Sequence, residues 1–346
     1  MQIGNKKIGE GYPCFIIGEI GSNHNQDLNT AYRLIDMACE AGVDAVKFQT
    51  LKPNDIAKMD TPANVYGEAE FTKGKKYWHE VLNDIVMPYE WHKELFQYAK
   101  LKGLIVFSTP ESIEAVDLLE ELEVPVYKIA SMDIGYKQLL ERIGKTNKPV
   151  ILSSGIASVK DIFDAIEILR KNGTNEIALL HCVSDYPPKY DYMSLEMINY
   201  YKNTFNIPIG LSDHCEDNLL DGVAVALGAK IIEKHITLDK RNPGPDHSFA
   251  LDKKGLKNLV QTVRNVEKAI PINEKLFESK NRKKELYGRS IICIKSKKAG
   301  EQILLKDIDF KRPGNGITPK DVEKIIGLTL KNDIEKNHVL RWEDFQ

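Results

Sequence analysis

The stretch with the densest potential for chemistry runs from Ile209 to Ser248, IGLSDHCEDNLLDGVAVALGAKIIEKHITLDKRNPGPDHS. Two short β-branched runs, at 207–211 and 230–234, flank an apolar helix-like segment, and each leads into a histidine, His214 and His235. A strand–helix–strand unit of this length needs a right-handed crossover, so the two strands lie parallel with their C-terminal ends together. Both imidazoles then sit at one edge of the sheet, close enough to share an ion. A lone histidine at a strand end is most often only hydrogen-bonded. Two at equivalent positions, with Ser212, Asp213, Glu233 and Asp246 nearby, point instead to a metal-binding active-site edge.

The elements that must hold such an edge recur along the chain. Apolar runs at 14–21, 44–50, 104–110, 126–131, 150–155, 177–183, 207–211 and 230–234 alternate with amphipathic helical patterns. In one of these, Ile162, Phe163, Ile166 and Leu169 are read onto a single face. Eight such units predict an α/β fold, a (β/α)8 TIM barrel over residues 1–270. Near-continuous apolar strands are what a sheet covered on both faces requires. Active groups in such barrels sit where strands run into βα loops. Here those ends read Glu19, Lys47 with Gln49, Thr109, Lys128 with Ser131, Ser153, Tyr186 just beyond run six, then His214 and His235. Ionisable groups at so many strand ends must be paired or functional.

Three further segments stand apart. Residues 51–87 make an irregular tract too long for an ordinary βα loop, which predicts a lid or an ordered insert. Residues 271–285 are polar and charged and read as an exposed linker. Residues 286–346 read as a small β-rich module, in which the stretch 298–308 weakly echoes 335–345. Gly300 and Asn337 both suit a left-handed turn there.

Composition narrows the classes. The 346 residues carry a formal net charge of −2, so no global field calls for nucleic acid or a membrane surface. No apolar run approaches the roughly 20 residues of a spanning helix, and MQIGNKKIGEGYP lacks the apolar core of a signal peptide. The five cysteines (Cys14, Cys39, Cys182, Cys215, Cys293) are odd in number and scattered. They predict reduced thiols in a cytoplasmic protein.

The rim combines lysines, hydroxyls, imidazoles and carboxylates. Lys47, Lys128, Ser131, Ser153 and Ser212 make a cradle for a small dianion or trianion, such as a phosphate with a carboxylate. Ammonium charge and hydroxyl donors are what those oxygens need in a dry pocket. Two histidines with an open coordination sphere suit a divalent metal that polarises a carbonyl oxygen. Glu19 and Asp246 could orient substrate hydroxyls or move protons. An anion cradle beside a Lewis acid suggests carbon–carbon bond formation between a phosphorylated acid and an aldehyde. A Schiff-base aldolase acting through Lys128 is the alternative, and it needs no metal pair.

The motifs behind this rim also resemble a known family. They are EIGSNHNQDL from Glu19, VKFQT from Val46, FSTP from Phe107, YKIAS from Tyr127, LSSG from Leu152 and LLHCVSDYP from Leu179. They continue with GLSDH from Gly210, EKHITLDKRNPGPDHS from Glu233 and KRPGNG from Lys311. Together they resemble the N-acetylneuraminate (sialic acid) synthases, phosphoenolpyruvate-condensing enzymes that include legionaminic and pseudaminic acid synthases. The tail resembles their antifreeze-like (SAF) domain. The resemblance implies that Lys47, Thr109, Lys128, Ser131, Ser153, Ser184 and Ser212 hold phosphoenolpyruvate. It implies that His214 and His235 bind manganese, with magnesium or cobalt as alternatives. It assigns Glu19, Gln49, Asp133, Tyr186 and Asp246 to an open-chain amino sugar. Arg312 is expected to reach that sugar from the SAF domain of the other subunit in a swapped homodimer.

The implied activity joins phosphoenolpyruvate to an N-acetylmannosamine-type sugar, with C–O cleavage and phosphate release. Some members have Asn in place of Ser184 and Glu in place of Asp133. The tract 51–87 has no clear match to the asparagine that some members place on the sugar N-acetyl group, with Asn64 and Asn83 as the candidates. The PGPDHS segment resembles the sialic and legionaminic branch, whereas YEWH (89–92) and YKIAS resemble pseudaminic synthases. The competing readings are a synthase acting on a 2,4-diacetamido-trideoxy hexose, a phosphoenolpyruvate-dependent enzyme making a shorter 3-deoxy sugar acid, and a carbohydrate-binding protein with an inactive barrel. The complete rim argues against the last.

Overall fold

Each apolar run becomes a strand because β-branched side chains pack well on a pleated surface buried on both faces. The strands are β1 (Phe15–Glu19), β2 (Ala45–Thr50), β3 (Ile105–Pro110), β4 (Tyr127–Ile129), β5 (Val150–Ser153), β6 (Ile177–Cys182), β7 (Ile209–Asp213) and β8 (Ile231–His235). In the computed structural model, which describes residues 1–65 and 70–346 with the side chain of residue 70 excepted, they are all parallel. They close into a barrel as β8 pairs with both β7 and β1. Closure puts all eight C-terminal ends on one rim. A hairpin of Gln2–Ile3 with Lys6–Lys7 precedes β1.

The helices α1 (Leu28–Ala41), α2 (Trp91–Leu101), α3 (Ile113–Glu121), α4 (Lys137–Gly144), α5 (Val159–Lys171), α6 (Met197–Phe205), α7 (Leu219–Ala226) and α8 (Lys253–Ala269) follow strands one to eight in turn. The first starts at Asp27, whose carboxylate accepts from the amides of Asn29 and Thr30. It stops at Gly42, whose φ of 83° only glycine adopts without strain. Along α5, Ile162, Ile166 and Leu169 are buried as expected, but Phe163 is half exposed. Adjacent helical residues point about 100° apart, so Phe163 leaves the core face. It lies against Phe205 of α6 instead, with ring centroids 5.9 Å apart.

The tract 51–87 holds short helices at Pro53–Ile56 and Trp78–Asn83, a 3-10 turn at Glu70–Thr72, and a bridge between Pro62 and Tyr77. Residues 66–69 of that tract lie outside the described residues. Asn64 is exposed, whereas the Asn83 carbonyl accepts from Gln26 Nε2. No helix among the described residues is long and apolar enough to cross a membrane. All five cysteines are free.

The chain divides into two compact units, Met1–Ile270 and Pro271–Gln346. The charged segment read as a linker is a helix, α9 (Glu274–Tyr287). Asn273 caps it, Glu274 favours its first turn, and no residue along it is buried. Charged composition signalled exposure there, and exposure does not exclude a helix. Beyond it, β9 (Ser290–Cys293) pairs antiparallel with β10 (Ile308–Lys311). Ile291, Cys293, Ile303, Ile317, Ile325, Leu330 and Leu340 form a separate small core. Gly300 and Asn337 take φ of 86° and 70°, the left-handed turns that the repeated pattern suggested.

Candidate active site

Register brings the charged strand ends together. His235 lies opposite Glu19 in the β8–β1 ladder, and Glu19 lies opposite Lys47 in the β1–β2 ladder. Lys47 from β2 and Lys128 from β4 each place Nζ 3.6 Å from Glu233 Oε1 on β8. Strands four apart in a closed ring meet only through its lumen, so this cluster fills the barrel mouth. Lys47 also lies 2.9 Å from Glu19 Oε2 and donates to Thr109 Oγ1 at 3.1 Å. Gln49 Nε2 donates to Glu19 Oε1 at 3.3 Å, and Ser212 Oγ donates to Glu233 Oε1 at 3.4 Å.

Electrostatics separates the two lysines. Burial disfavours the Lys47 ammonium, but Glu19 and Glu233 outweigh it and hold the group above its ordinary range. For Lys128 burial wins. Glu233 offsets only part of that penalty, and the charge of Lys47 adds to it, so Lys128 titrates below its ordinary range. Burial pushes Glu19 up to about 7 against the pull of Lys47. Glu233 is buried as deeply, yet Lys128 and Lys47 together hold it below the usual carboxylate range. Lys128 is thus a buried cation with too little negative charge around it, which favours an incoming anion.

Hydroxyls face the same space. Ser131 Oγ and Ser184 Oγ are 3.2 Å apart, and Ser153 Oγ is buried with no hydrogen-bond partner among the described residues. Gly155 closes this corner. A Cβ at that position would lie 2.2 Å from Ser131 Oγ and 2.4 Å from Ser184 Oγ, so only a bare backbone fits. The Ser153 hydroxyl is thus free to bond to a bound molecule.

The two imidazoles stand with ring centroids 5.4 Å apart, His235 at the end of β8 and His214 one residue past β7. Burial holds His214 down to about 4, and burial together with the nearby cations keeps His235 well below its ordinary value. Both are neutral at neutral pH. His214 Nδ1 donates to the Val183 carbonyl at 3.0 Å, which leaves Nε2 a lone pair. His235 Nδ1 is buried without a hydrogen-bond partner, 3.5 Å from Asp246 Oδ2. Among the described residues no group of three or more His, Cys, Asp or Glu side chains is set to hold a metal. Two neutral imidazoles with adjacent carboxylates still fit a divalent ion that takes its remaining ligands from substrate and water.

The residues expected on the sugar side have definite places as well. Asp246 accepts from Ser22 Oγ at 3.2 Å, and burial pushes its carboxyl up to about 6. Tyr186 lies with its ring centroid 4.4 Å from that of His214. Asp133 follows β4 in a 3-10 turn, and burial pushes it up to about 6. Arg312 is an exposed residue of the C-terminal unit.

Sequence reasoning underweighted several groups. Glu233 was only a neighbour there, although alternation along β8 puts it on the face of His235. Phe249 walls the imidazoles, 5.9 Å from His214 and 5.2 Å from His235. Glu111, just past β3, is pushed up to about 8 by burial and by the charge of Asp133. The signal for Glu111 was an acid directly after a strand-end STP; for Phe249 there was none.

Comparison with known proteins gives the family. Residues 34–275 match the NeuB family and residues 289–346 match the SAF domain. The N,N'-diacetyllegionaminic acid synthase of Campylobacter jejuni is 35% identical over 329 residues, 94% of this chain and 98% of that one. A pseudaminic acid synthase of the same species is 34% identical over 351 residues, covering 100% of both chains. The crystal structure of N-acetylneuraminic acid (sialic acid) synthetase from Leptospira borgpetersenii superposes with a TM-score of 0.71 at 33% identity, over 82% of this chain and 95% of that one. Matched by the NeuB model over 34–275, by the SAF domain over 289–346, and by relatives at 34–35% identity over nearly its whole length, this chain belongs to the NeuB family of nonulosonate synthases.

Proposed function

We propose that the rim condenses phosphoenolpyruvate with the open-chain aldehyde of an N-acetylmannosamine-type sugar, giving an N-acetylneuraminate-type acid and inorganic phosphate. The observation that carries this reading is the meeting, in one lumen, of the under-compensated Lys128 with two neutral imidazoles. Lys47 and Lys128 hold the phosphate and carboxylate oxygens. Thr109, Ser131, Ser153, Ser184 and Ser212 add hydroxyl donors around them. A divalent ion held by His214 and His235, manganese first and magnesium or cobalt next, would polarise the aldehyde oxygen.

With the cradle fixing phosphoenolpyruvate, its C3 faces that aldehyde and forms the new carbon–carbon bond. Water then adds at C2, and phosphate leaves with the C2–O bond. Glu19, with a carboxyl near neutrality, exchanges a proton at the oxygen that was the aldehyde. Gln49, Asp133, Tyr186 and Asp246 orient the sugar's hydroxyl and acetamido groups. A cytoplasmic setting agrees with the five free thiols.

A second sugar is favoured by a specific observation: relatives at 34–35% identity over nearly the whole chain are named for legionaminic and pseudaminic acids. Those names favour a 2,4-diacetamido-trideoxy hexose. Phosphate release from phosphoenolpyruvate, measured with a panel of amino-sugar aldoses, tests the function and ranks the sugars by kcat/KM. No release with any aldose would refute it.

The tail is assigned the remaining role. In a swapped homodimer, Arg312 of one copy grips the sugar in the site of the other through its paired donors. Mixing two inactive variants, Arg312→Ala and His214→Ala, under conditions of subunit exchange should restore part of the activity. An active monomer would rule the arrangement out.

A further inference from the structure

Glu233, Lys234 and His235 are consecutive on β8, and strand alternation turns the middle side chain away from the lumen. Lys234 is nevertheless only 1% exposed. Its ammonium donates to Asp213 Oδ2, and to the Asp217 carbonyl at 2.6 Å, with Asp221 Oδ2 of α7 at 3.8 Å. Asp213 Oδ1 accepts from the Cys215 amide at 2.9 Å. Asp217 accepts from the Leu219 amide at 3.0 Å and from the Tyr190 hydroxyl at 2.6 Å. The segment 213–217 is therefore tied at both ends to one ammonium group, and His214 lies between the ties.

Packing α7 against the barrel does not call for a buried charge. An apolar side chain of similar length would fill the space without the desolvation penalty. What an apolar side chain cannot do is hold a carboxylate and a carbonyl from the two ends of one loop. We infer that Lys234 is a positioning residue, which by anchoring both ends of 213–217 fixes the His214 imidazole relative to His235, the next residue on its own strand. The inference rests on the proposed use of that histidine pair. One short piece of β8 then carries both the backbone of one imidazole and the anchor of the other.

The test uses the full chain with selectively nitrogen-15-labelled histidine. In the metal-free wild type, His214 is expected to show a single tautomer, because Nδ1 donates to the Val183 carbonyl. In Lys234→Met that resonance should average between tautomers, and the Kd for Mn²⁺ measured by calorimetry should weaken by about 10- to 100-fold. Asp221→Asn changes only the arm toward α7 and should keep both readings at wild-type values. Asp213→Asn keeps the volume and removes the charged acceptor, so it provides the same readings if Lys234→Met does not fold. A Lys234→Met protein that unfolds at lower temperature yet keeps the single tautomer and the Mn²⁺ affinity would overturn the inference. If the wild type takes up no Mn²⁺, the proposed metal chemistry fails, and the tautomer comparison alone decides the role of Lys234.

Discussion

Two clusters in this chain set a pair of lysines against buried carboxylates, and they behave oppositely. In the C-terminal unit, Asp307 lies 2.8 Å from Lys295 and 2.7 Å from Lys297, and it also accepts from the Leu304 amide. Lys297 donates as well to the Gln302 carbonyl. Burial alone would raise the Asp307 carboxyl, but the two lysines hold it well below the usual range. At the barrel rim, Glu19 rises to about 7, and among the described residues Lys128 has no carboxylate oxygen closer than 3.6 Å and Ser153 Oγ has no hydrogen-bond partner. In the C-terminal cluster each Asp307 oxygen has a lysine ammonium within 2.8 Å. The rim cluster stays open, and under the proposed function its unmet donors are what a substrate anion would satisfy.

The sharpest way to break this comparison is to neutralise one lysine or carboxylate in each cluster. Lys128→Met should lower kcat/KM for phosphoenolpyruvate by about 10³-fold and change the unfolding temperature little, because removing an under-compensated buried charge offsets the loss of one of the two cations beside Glu233. Asp307→Asn should do the reverse, with a lower unfolding temperature and an unchanged KM. Steady-state kinetics and calorimetry read both. A Lys128 variant that loses stability and keeps activity would place the rim lysine in the structural class. Borohydride trapping of an adduct on Lys128 would favour the Schiff-base alternative.

A smaller effect comes from filling the open corner. Gly155→Ala puts a methyl group between the Ser131 and Ser184 hydroxyls, and KM for phosphoenolpyruvate should rise by roughly tenfold or more. An unchanged KM would move the anion away from those serines.

Proton linkage sharpens the contrast further. A bound anion draws Lys47 from Glu19 and adds negative charge, so the Glu19 carboxyl rises above about 7 on binding. At neutral pH the wild type should take up a proton with phosphoenolpyruvate, and Glu19→Gln should take up less. Calorimetry in two buffers of different ionisation enthalpy measures the difference. Equal uptake in both proteins would remove Glu19 from the anion's neighbourhood.

A further expected effect is on stability against pH. Burial raises the Asp221 carboxyl from 3.8 to about 8, so the folded chain binds more protons there than the unfolded one. The stability that this proton supports is present below about pH 4 and is lost as pH rises toward 8. Asp221→Asn should therefore gain in unfolding temperature relative to wild type between pH 5 and pH 7.5. A constant difference would show that Asp221 is ionised throughout.

The barrel was legible in the sequence because its signal is local. Apolar β-branched runs, helical periodicity and polar strand ends lie within a few residues of one another, and the parallel crossover rule does the rest. Which faces those ends present was less so. The run 230–234 with His235 reads as a strand leading into a ligand, which does not separate Glu233 from Lys234, yet Glu233 and His235 serve the lumen and Lys234 serves the loop behind it. Phe163 illustrates the same limit on a helix, where one position of drift moves a side chain off the core. The helix α9 was hidden because an exposed charged segment has no apolar stripe to announce it.

The central claim is that this rim breaks the C2–O bond of phosphoenolpyruvate while making a carbon–carbon bond to an amino sugar. Phosphoenolpyruvate carrying oxygen-18 in its bridging position, incubated with the protein, Mn²⁺ and the best aldose of the panel, decides it. All of the label should appear in the released inorganic phosphate, in proportion to the nonulosonate formed. Label retained at C2 of the product, or phosphate released without any sugar acid, would contradict it.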